Sequence, residues 1–415
     1  MIADLCERFE IGGRVRAAAL RAQARTAAIA YDAQRIVAAN VLQAFVEEGL
    51  SESDLAGSTG YGYDDAARAC YESLLARVFG AERALARLSI VSGTHAIVTA
   101  LAACAPPGTA IVSISGRPYD TLRNAICDAP YSLVRQGTEY SEIALREDGT
   151  IDVPAVTATL TARAVSAVFI QRSRGYAPRR SLPIAQCERA IAAVKAIAPD
   201  VAILVDNCYG ELVEAREPTH VGADLVMGSL IKNLGGSIAP AGGYIAGRAD
   251  LVERVAARLY APGLGGGLGP SLGFGRSFVQ GLFLAPLVVE QCLRGLDFSA
   301  ALFEELGYRV DPKPGEPRTD IVQAIRLGSP DLLGRFARGL QAAMPVNARF
   351  RPEPGAVPGY ADPVIMSGGA FVAGATIELS CDAPMRPPYD VYLQGGVAAA
   401  HGYLGALFAA RALDS

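Results

Sequence analysis

The chain has 415 residues, of which 51% are hydrophobic and 19% are charged, and its formal net charge is −4. This length and composition are enough for a large buried core and for two or three domains. The mildly acidic total, without a basic stripe, argues against nucleic-acid binding. The lack of a run of about 18 apolar residues argues against a transmembrane helix.

The cysteines and histidines show no metal-binding pattern. The eight cysteines lack a Cys-x-x-Cys spacing and only three histidines are present, so we expect no metal site. The N-terminal stretch "MIADLCERFEIGG" has early acidic residues and no apolar core of the signal-peptide type. We therefore expect reduced thiols and a cytoplasmic location.

The first part of the chain is predicted to be helical. Alanine-rich sequence runs from Val15 to about Leu50, and the arginines of "GGRVRAAALRAQARTAA" are interpreted as a solvated helix face. The stretch "GSTGYGYDDAARACYESLLARVFGA" then predicts a glycine-rich loop that leads into a further helix. We assign residues 1–60 to an N-terminal helical segment.

Short apolar runs alternate with helical segments from this loop to about Gly247. The runs "TAIVSIS", "AVSAVFI", "VAILV" and "ADLVM" are interpreted as buried strands, and "GGYIAG" follows the last of them. Strands that alternate with helices predict an α/β fold with a mostly parallel sheet covered on both faces. We assign residues 61–299 to this large α/β domain.

A different pattern follows the glycine-rich stretch "APGLGGGLGPSLGFG". The run Gly263–Gly269 lacks a preceding strand, so it is interpreted as a mobile loop rather than a dinucleotide-binding fingerprint. Farther on, "TDIVQAIRLGSPDLLGRFARGLQAA" and "AFVAGATIELSC" read as strands interleaved with helix. We assign residues 300–415 to a smaller C-terminal α+β domain.

Polar clusters follow the predicted strands of the large domain or begin a nearby helix. They are "SGTHA", "GRPYDT", "QRSRGY", "DNCYGE" and "GSLIKN". Ligands of open parallel sheets bind beyond the carboxyl ends of the strands. The clusters therefore predict one rim that contains an acid, a lysine, aromatic rings, arginines and a nest of small residues for an anion.

This set of residues favours pyridoxal phosphate over a nicotinamide cofactor. Ser92, Gly93 and Thr94 begin a predicted helix whose N–H groups suit a phosphate dianion, and Gly93 permits a close approach. Asp206 ends a buried strand and would keep the pyridine nitrogen protonated, so that the ring acts as an electron sink. Lys232 follows the next strand and would supply the amine that binds the aldehyde.

Two further side chains complete the predicted cofactor site. Tyr119 would stack on the ring, and Ser229, three residues before Lys232, would reach the phosphate. Each residue alone also fits an ordinary structural role: Asp206 as a turn or helix cap, "SGT" as a plain N-cap, and Lys232 as a solvated loop residue. The order and spacing of the motifs, rather than any single residue, support the cofactor site.

Ten short motifs occur in a fixed order between Gly60 and Gly396. They are "GYGYDD", "SGTHA", "PYDTL", "IQRSRGY", "VDNCYGE", "GSLIKN", "QGLFLAP", "PGY", "ELS" and "LQGG". In this order they resemble the fold-type I pyridoxal-phosphate enzymes of cysteine and methionine metabolism. More closely, they resemble the branch of methionine gamma-lyase family or aluminium-resistance proteins. The resemblance covers most of the chain and implies the fold-type I transferase fold, with a large cofactor-binding domain and a smaller C-terminal domain.

The resemblance also implies an assembly with shared active sites. The unit would be a homodimer, often paired into a homotetramer, and the loop "TGYGYDDAAR" would reach the neighbouring site. Tyr61, Tyr63 and Arg68 are then the candidates for contacts to phosphate or substrate. A plain helix-surface role for Arg68 stays open.

Three arginines are candidates for binding the substrate carboxylate. Arg386, in "PMRPPY", would clamp it because a guanidinium offers a two-pronged donor. Arg172 and Arg174 compete for that role or for the phenolate oxygen of the cofactor. The sequence does not decide among the three.

The resemblance implies β- or γ-elimination from an L-amino acid. Lys232, desolvated and close to a cationic cofactor, is expected to have a lowered pKa and to remove the Cα proton. Tyr119 would assist proton transfer as well as stack. A thiol is the leaving group expected of the family, which makes the protein a carbon–sulfur lyase, and the same electron flow would expel a halide.

Other functions stay open at this stage. A γ-replacement transferase or an aminotransferase would require a second substrate. A cofactor-binding protein with little turnover would show no spectral change when amino acids are added. A nicotinamide oxidoreductase is the third alternative, and reversible reduction of a nicotinamide would reveal it.

Overall fold

The structure, a computed structural model, describes residues 1–414, which form helices and strands. The helices are α1 (Ile2–Arg8), α2 (Gly13–Thr26), α3 (Asp32–Glu48), α4 (Ala66–Phe79), α5 (Gly93–Cys104), α6 (Asp120–Arg123), α7 (Val153–Ala162), α8 (Ile184–Ile197), α9 (Ala249–Leu259), α10 (Gly275–Glu305), α11 (Pro330–Gln341) and α12 (Ala399–Asp414). The strands are β1 (Arg83–Arg87), β2 (Ala110–Ser113), β3 (Glu139–Glu142), β4 (Ala167–Gln171), β5 (Ala202–Asp206), β6 (Leu225–Ser229), β7 (Gly243–Gly247), β8 (Arg309–Asp311), β9 (Val322–Arg326), β10 (Pro354–Gly355), β11 (Val364–Gly368), β12 (Ser380–Pro384) and β13 (Asp390–Gln394).

The first seven strands form one sheet, in the order β1-β7-β6-β5-β4-β2-β3. The pairs from β3 through β2, β4 and β5 to β6 are parallel, and β7 is antiparallel to both β6 and β1. Every residue of β4, β5 and β6 is buried, as expected for strands that are covered on both faces. The predicted α/β fold with a mostly parallel sheet is confirmed.

Helices cover both faces of this sheet. Successive side chains of a strand point to opposite faces. In β4, Phe169 therefore packs with Leu101 of α5, whereas Val168 packs with Val194 of α8. Helices α5 and α9 share one face, and α7 and α8 share the other.

The remaining strands form an antiparallel sheet of six strands, in the order β10-β11-β12-β13-β9-β8. Helix α11 packs against β11 and α12, because Leu333, Phe336 and Leu340 recur on one helical face and are buried. The 31-residue helix α10 is largely buried and contacts α2, α3 and α12. It therefore joins the N-terminal helices to the C-terminal part of the chain.

The predicted N-terminal helices are confirmed as α2 and α3. The arginines of α2 lie on its exposed side, where Arg21 and Arg25 form ion pairs with Glu304 and Glu305 at the end of α10. Helix α10 crosses residue 300 without a break. The domain boundaries near residues 60 and 300 stay predictions.

Two global properties follow from the described residues. None of the helices in residues 1–414 is both long and apolar enough to cross a membrane. All eight cysteines lie in this range as free thiols, and seven of them are buried.

Candidate active site

The carboxyl ends of β4, β5 and β6 open into a cavity of about 440 Å³, which we call the central cavity. Seven residues predicted from the sequence line it together: Ser92, Gly93, Thr94, Tyr119, Asp206, Ser229 and Lys232. Parallel strands place their carboxyl ends at the same edge of a sheet, which is why residues so far apart in sequence meet. Tyr360 and Gly374, from the C-terminal part of the chain, complete the wall.

Lys232 follows β6 by three residues and stands directly before the short helix Asn233–Gly235. Its Nζ lies 3.9 Å from the centre of the Tyr209 ring, within the range of a cation–π contact. The side-chain amide of Asn233 donates to the carbonyl oxygens of Tyr209 at 3.1 Å and Glu211 at 2.8 Å. These hydrogen bonds fix the lysine segment against the segment that follows β5.

The groups around Lys232 raise its pKa well above the ordinary value. Burial by itself lowers the pKa, but the nearby Asp206 carboxyl group and the face of the Tyr209 ring favour the positive charge more strongly. The protein therefore stabilises the ammonium form of Lys232. The lowered pKa predicted from the sequence depends on a nearby cationic cofactor and does not arise from the protein groups alone.

Asp206 ends β5 and is almost fully buried. Its Oδ1 accepts the backbone N–H of Cys208 at 3.0 Å, and the Cys208 thiol also hydrogen-bonds with the carboxyl group. Burial raises the pKa of Asp206, whereas Lys232 and the hydrogen bonds from Cys208 act to lower it. The Asp206 carboxyl group is thus buried in the wall of the central cavity, where it accepts two hydrogen bonds from Cys208 and lies near Lys232.

The start of α5 forms a cradle at another side of the cavity. Ser92 is the N-cap, and its Oγ accepts the backbone N–H of His95 at 3.0 Å. The N–H groups of Gly93 and Thr94 belong to the first turn and have no acceptor within the helix. A Cβ at Gly93 would lie 3.0 Å from the Cys208 Sγ and 3.7 Å from the Ser229 Cβ, so glycine keeps this space open.

Tyr119 forms the wall between the cradle and β4. Its hydroxyl lies 2.7 Å from the Thr94 Oγ1, and its backbone N–H donates to the Gln171 side chain at 2.9 Å. Burial, and after it the nearby Asp206, raises the pKa of Tyr119 well above the usual value. The phenol therefore stays protonated at neutral pH.

Arg172 and Arg174 do not line the central cavity. Arg172 is 1% exposed and donates to the Asn207 side chain and, at 2.5 Å, to Glu214. Arg174 is also buried and donates to Asp311 of β8. Both guanidinium groups connect segments of the fold, and binding of the substrate carboxylate or of the cofactor phenolate by either of them stays a prediction.

Arg386 lies beside a neighbouring space of about 290 Å³, which we call the side cavity. Tyr119, Tyr176 and Tyr360 line both the side cavity and the central cavity, and we call them the tyrosine wall. The Arg386 Nη1 donates to Asp120 at 3.2 Å. Among the three candidate arginines, Arg386 alone is partly exposed beside this wall.

Tyr61 and Tyr63 lie outside the central cavity of their own chain, 76% and 62% exposed, with ring centres 5.9 Å apart. The Arg68 guanidinium donates to the carbonyl oxygens of Gly62 and, at 2.7 Å, of Gly269. Arg68 therefore links the loop that carries Tyr61 and Tyr63 to the glycine-rich stretch Gly263–Gly269, which was predicted to be a loop. This arrangement leaves the two rings at the surface.

Several cavity residues were missed by the sequence reasoning. Cys208 and Tyr209 belong to the quoted motif "DNCYGE", but only its aspartate was assigned a role. Tyr176 and Tyr360 also fall inside motifs that carried the resemblance, "IQRSRGY" and "PGY". The motifs were a usable signal for these four residues, whereas composition and periodicity were not.

Comparison with solved structures supports the fold. A crystal structure of the pyridoxal-5'-phosphate dependent protein YhfS from Escherichia coli aligns over 92% of this chain and 95% of that chain, with a TM-score of 0.59 at 17% identity. At this identity the likeness concerns the fold alone. The predicted fold-type I architecture is confirmed.

Other known proteins are more similar to this chain. YnbB of Bacillus subtilis (strain 168), an uncharacterized protein, is 44% identical over 365 residues, which cover 87% of this chain and 86% of YnbB. A carbon-sulfur lyase involved in aluminum resistance from Clostridium novyi NT is 40% identical, and the alignment covers 98% of both chains with a TM-score of 0.92. The sequence pattern of the methionine gamma-lyase family matches residues 15–413. The resemblance noted in the sequence is thereby confirmed, and this chain belongs to the methionine gamma-lyase family.

Proposed function

We propose that the protein is a pyridoxal-phosphate-dependent carbon–sulfur lyase, which eliminates a thiol from Cβ or Cγ of an L-amino acid. The observation that carries the proposal is that Lys232, Asp206 and the start of α5 line one cavity. Membership of the methionine gamma-lyase family supports it, as does the carbon–sulfur lyase from Clostridium novyi.

The residues present fit pyridoxal phosphate. Lys232 would hold its aldehyde and Asp206 its pyridine nitrogen. Ser229 and the N–H groups at the start of α5 would hold the phosphate, in the space that glycine leaves open at position 93. Pyridoxal phosphate, when bound, draws electrons away from the Cα of an amino acid and so lets substituents at Cα and Cβ depart.

Lys232 is the proposed base for the Cα proton. Tyr209 lies against its Nζ and positions the amine within the cavity. The same protein groups that raise the pKa of Lys232 stabilise the ammonium ion that forms when the amine takes up the proton. For a γ-leaving group, Lys232 would first give up the proton taken from Cα and, as the neutral amine again, would take the second proton from Cβ.

Tyr119 is proposed to pack against the cofactor ring and to donate a proton. Its phenol is protonated, and the hydrogen bond with Thr94 sets the direction in which its hydroxyl points. Cys208 and its hydrogen bonds hold the Asp206 carboxyl group in one orientation. These contacts organise the cavity before any substrate enters.

Arg386 is the proposed partner of the substrate carboxylate. Arg172 and Arg174 are buried and donate to acceptors within the fold, whereas Arg386 is partly exposed beside the tyrosine wall. The leaving group is proposed to be a thiol, in agreement with the family. A halide, the other group considered from the sequence, has no support from the relatives.

The active unit is proposed to be a cytoplasmic homodimer or homotetramer. Tyr61 and Tyr63 are exposed on a loop that Arg68 holds in place, so they are available to a neighbouring subunit. The free thiols of all eight cysteines support a reducing compartment.

A visible absorption spectrum before and after borohydride tests the cofactor and its anchor. The chain has only three lysines, Lys195, Lys232 and Lys313, so the reduced adduct can be mapped without ambiguity. We expect a yellow protein that borohydride bleaches, with the adduct on Lys232. The Lys232→Ala variant should lack the adduct, and the exposed-site control Lys313→Ala should retain it. A protein that stays colourless with added pyridoxal phosphate would refute the proposal.

The reaction is tested by adding methionine or S-alkyl cysteines alone. We expect equal amounts of thiol, keto acid and ammonia without a second substrate. Product formation only when a second thiol or a keto acid is supplied would identify a transferase instead. Bound cofactor without turnover or spectral change would identify a binding protein.

A further inference from the structure

A third space, of about 580 Å³, lies between the carboxyl ends of β2, β3 and β4 and the C-terminal antiparallel sheet. We call it the arginine groove, because seven arginines line it: Arg117, Arg146, Arg174, Arg179, Arg180, Arg309 and Arg326. Four acidic residues also line it: Glu147, Asp148, Asp311 and Asp390. The groove therefore has an excess of three positive charges in a chain whose net charge is −4.

Four of the seven arginines have ion pairs, two of them with carboxylates outside the lining: Asp120 lies 3.5 Å from Arg117, and Glu316 lies 3.0 Å from Arg180. Asp311 accepts from Arg174 and lies 3.1 Å from Arg180. Asp390 accepts from Arg326 at 2.9 Å. The other two acidic residues form no ion pair among residues 1–414: Asp148 accepts the backbone N–H and hydroxyl of Thr150, and Glu147 lies on the same exposed loop.

The Arg179 guanidinium forms no direct hydrogen bond with a carboxylate in residues 1–414, and Asp320 and Asp206 act on its charge only from a distance. Its guanidinium donates only to backbone carbonyl oxygens, those of Gln171, Arg172, Ser173 and Arg180. Burial lowers the pKa of Arg179 to about 10. Nearby, the Nε of the buried Arg174 has no hydrogen-bond partner. Arg179 lacks a directly bonded carboxylate and the Arg174 Nε lacks an acceptor, so both guanidinium groups would attract an anion that enters the groove.

Arg146 and Arg309 stand at two different edges of the groove. Arg146 follows β3 in the loop before α7, and Arg309 begins β8 of the antiparallel sheet. Both are exposed, and within residues 1–414 neither lies within 4 Å of a carboxylate oxygen, while Arg146 acts electrostatically on the neighbouring Asp148. An anion held between them would bridge the two sheets of the molecule.

The groove adjoins the side cavity, and the side cavity adjoins the central cavity. The side cavity shares Arg117, Arg174 and Asp390 with the groove. It shares the tyrosine wall with the central cavity. The three spaces therefore follow one another from Lys232 outward.

We propose that the arginine groove binds an anionic group, a carboxylate or a phosphate, at a site distinct from the cofactor cradle at α5. Guanidinium groups form paired hydrogen bonds with both kinds of anion. The anion belongs either to the far end of a substrate that extends from the central cavity or to a separate small molecule. Either source would place the same kind of anionic group next to the same arginines.

Calorimetric titration with pyrophosphate tests the site. The protein is loaded with pyridoxal phosphate and then freed of unbound cofactor, so that pyrophosphate is the only free phosphate compound. Replacing both Arg146 and Arg309 by glutamine should weaken binding roughly tenfold, since each exposed ion pair contributes modestly. The pair Arg349→Gln and Arg351→Gln is the control, because both are exposed and lie outside the groove. Equal weakening in both double variants, or no binding at all, would overturn the proposal.

A second experiment, which rests on the proposed lyase function, identifies the source of the anion. The kcat/KM values are compared for a thioether amino acid whose leaving group ends in a carboxylate and for its primary amide. A preference for the carboxylate that is lost in the Arg146/Arg309 variant assigns the groove to the substrate. Equal kcat/KM values, with pyrophosphate still bound by the groove, assign it to a separate anion. Failure of the lyase reaction would leave the pyrophosphate result intact, so the two proposals fail independently.

Discussion

The Nζ of Lys232 lies 3.9 Å from the centre of the Tyr209 ring, and both residues line the central cavity. Tyr209 follows Asp206 by three residues and adopts a positive φ of 71°, a conformation that non-glycine residues rarely adopt. The surrounding hydrogen bonds from Asn233 hold this backbone in place. The contact thus connects the segment after β5 with the lysine segment after β6.

Replacing Tyr209 by leucine should lower the pKa of Lys232, because the ring face that stabilises the ammonium ion is lost. Only the neutral amine adds to an aldehyde, so the rate of pyridoxal phosphate uptake by the apoprotein reports this pKa. We expect the midpoint of the pH–rate profile to move down by about one pH unit. Tyr209→Phe keeps the ring and should retain a midpoint near that of the wild type. An unchanged midpoint in Tyr209→Leu would show that the ring does not influence the amine.

Replacing Gly93 by alanine should weaken cofactor binding roughly tenfold, because the added methyl group enters the cradle at α5. Equilibrium dialysis against pyridoxal phosphate measures the change. Gly355→Ala is a suitable control, since a Cβ there meets nothing within 4 Å. The methyl group at position 93 would lie nearest the Cys208 Sγ, at 3.0 Å. Adding Cys208→Ala should therefore restore part of the affinity, and a double variant as weak as Gly93→Ala would contradict this account.

Glu211 makes the stability of the protein depend on pH. It is fully buried, and burial raises its pKa to about 8, compared with about 4.3 in an unfolded chain. The folded state therefore binds more protons than the unfolded state between these values. Below about pH 4.3 the neutral Glu211 side chain contributes its full stabilisation to the folded state. This stabilisation is lost as the pH rises through about 8.

Replacing Glu211 by glutamine should flatten this dependence. The glutamine oxygen can still accept the Tyr244 hydroxyl, which lies 3.1 Å from the Glu211 Oε1, but the side chain no longer titrates. Urea unfolding at pH 5.5 and pH 8 should show that the wild type loses about 2–4 kcal/mol more stability than the variant over this interval. Glu188→Gln, at an exposed position, should keep the wild-type slope. Equal slopes in wild type and Glu211→Gln would contradict a raised pKa.

Two of the candidate arginines should respond differently to substitution. Arg172→Leu leaves Glu214 without its partner inside the fold, so the free energy of unfolding should fall by about 3–5 kcal/mol, as measured with urea.

Arg386→Gln removes a partly exposed ion pair and should change the stability by less than about 1 kcal/mol. Its effect should instead be a KM raised at least tenfold, because a charged hydrogen bond to the substrate carboxylate is lost. An unchanged KM would remove Arg386 from the substrate site.

The sequence by itself determined which residues could form the cofactor site. Asp206 and Lys232 follow two apolar runs, and the ends of neighbouring parallel strands must meet at one edge of the sheet. Ser92 and Gly93 were predicted to begin a helix, because a serine followed by glycine and an alanine-rich run is a local capping signal. Strand ends and helix starts depend on a few adjacent residues, so the local sequence is enough to predict them.

Only the tertiary structure decided which side chains line the same cavity. The sequence could not choose among the arginines because each is a plausible ligand locally, yet the fold provides Arg172 with Glu214 and places Arg386 beside Tyr360. Likewise, the sequence shows only that "GGYIAG" follows the last predicted strand, and its antiparallel position between β6 and β1 depends on chain segments far apart in sequence. Long-range pairing and the burial of charge are properties of the packed chain, because they depend on partners that no local pattern specifies.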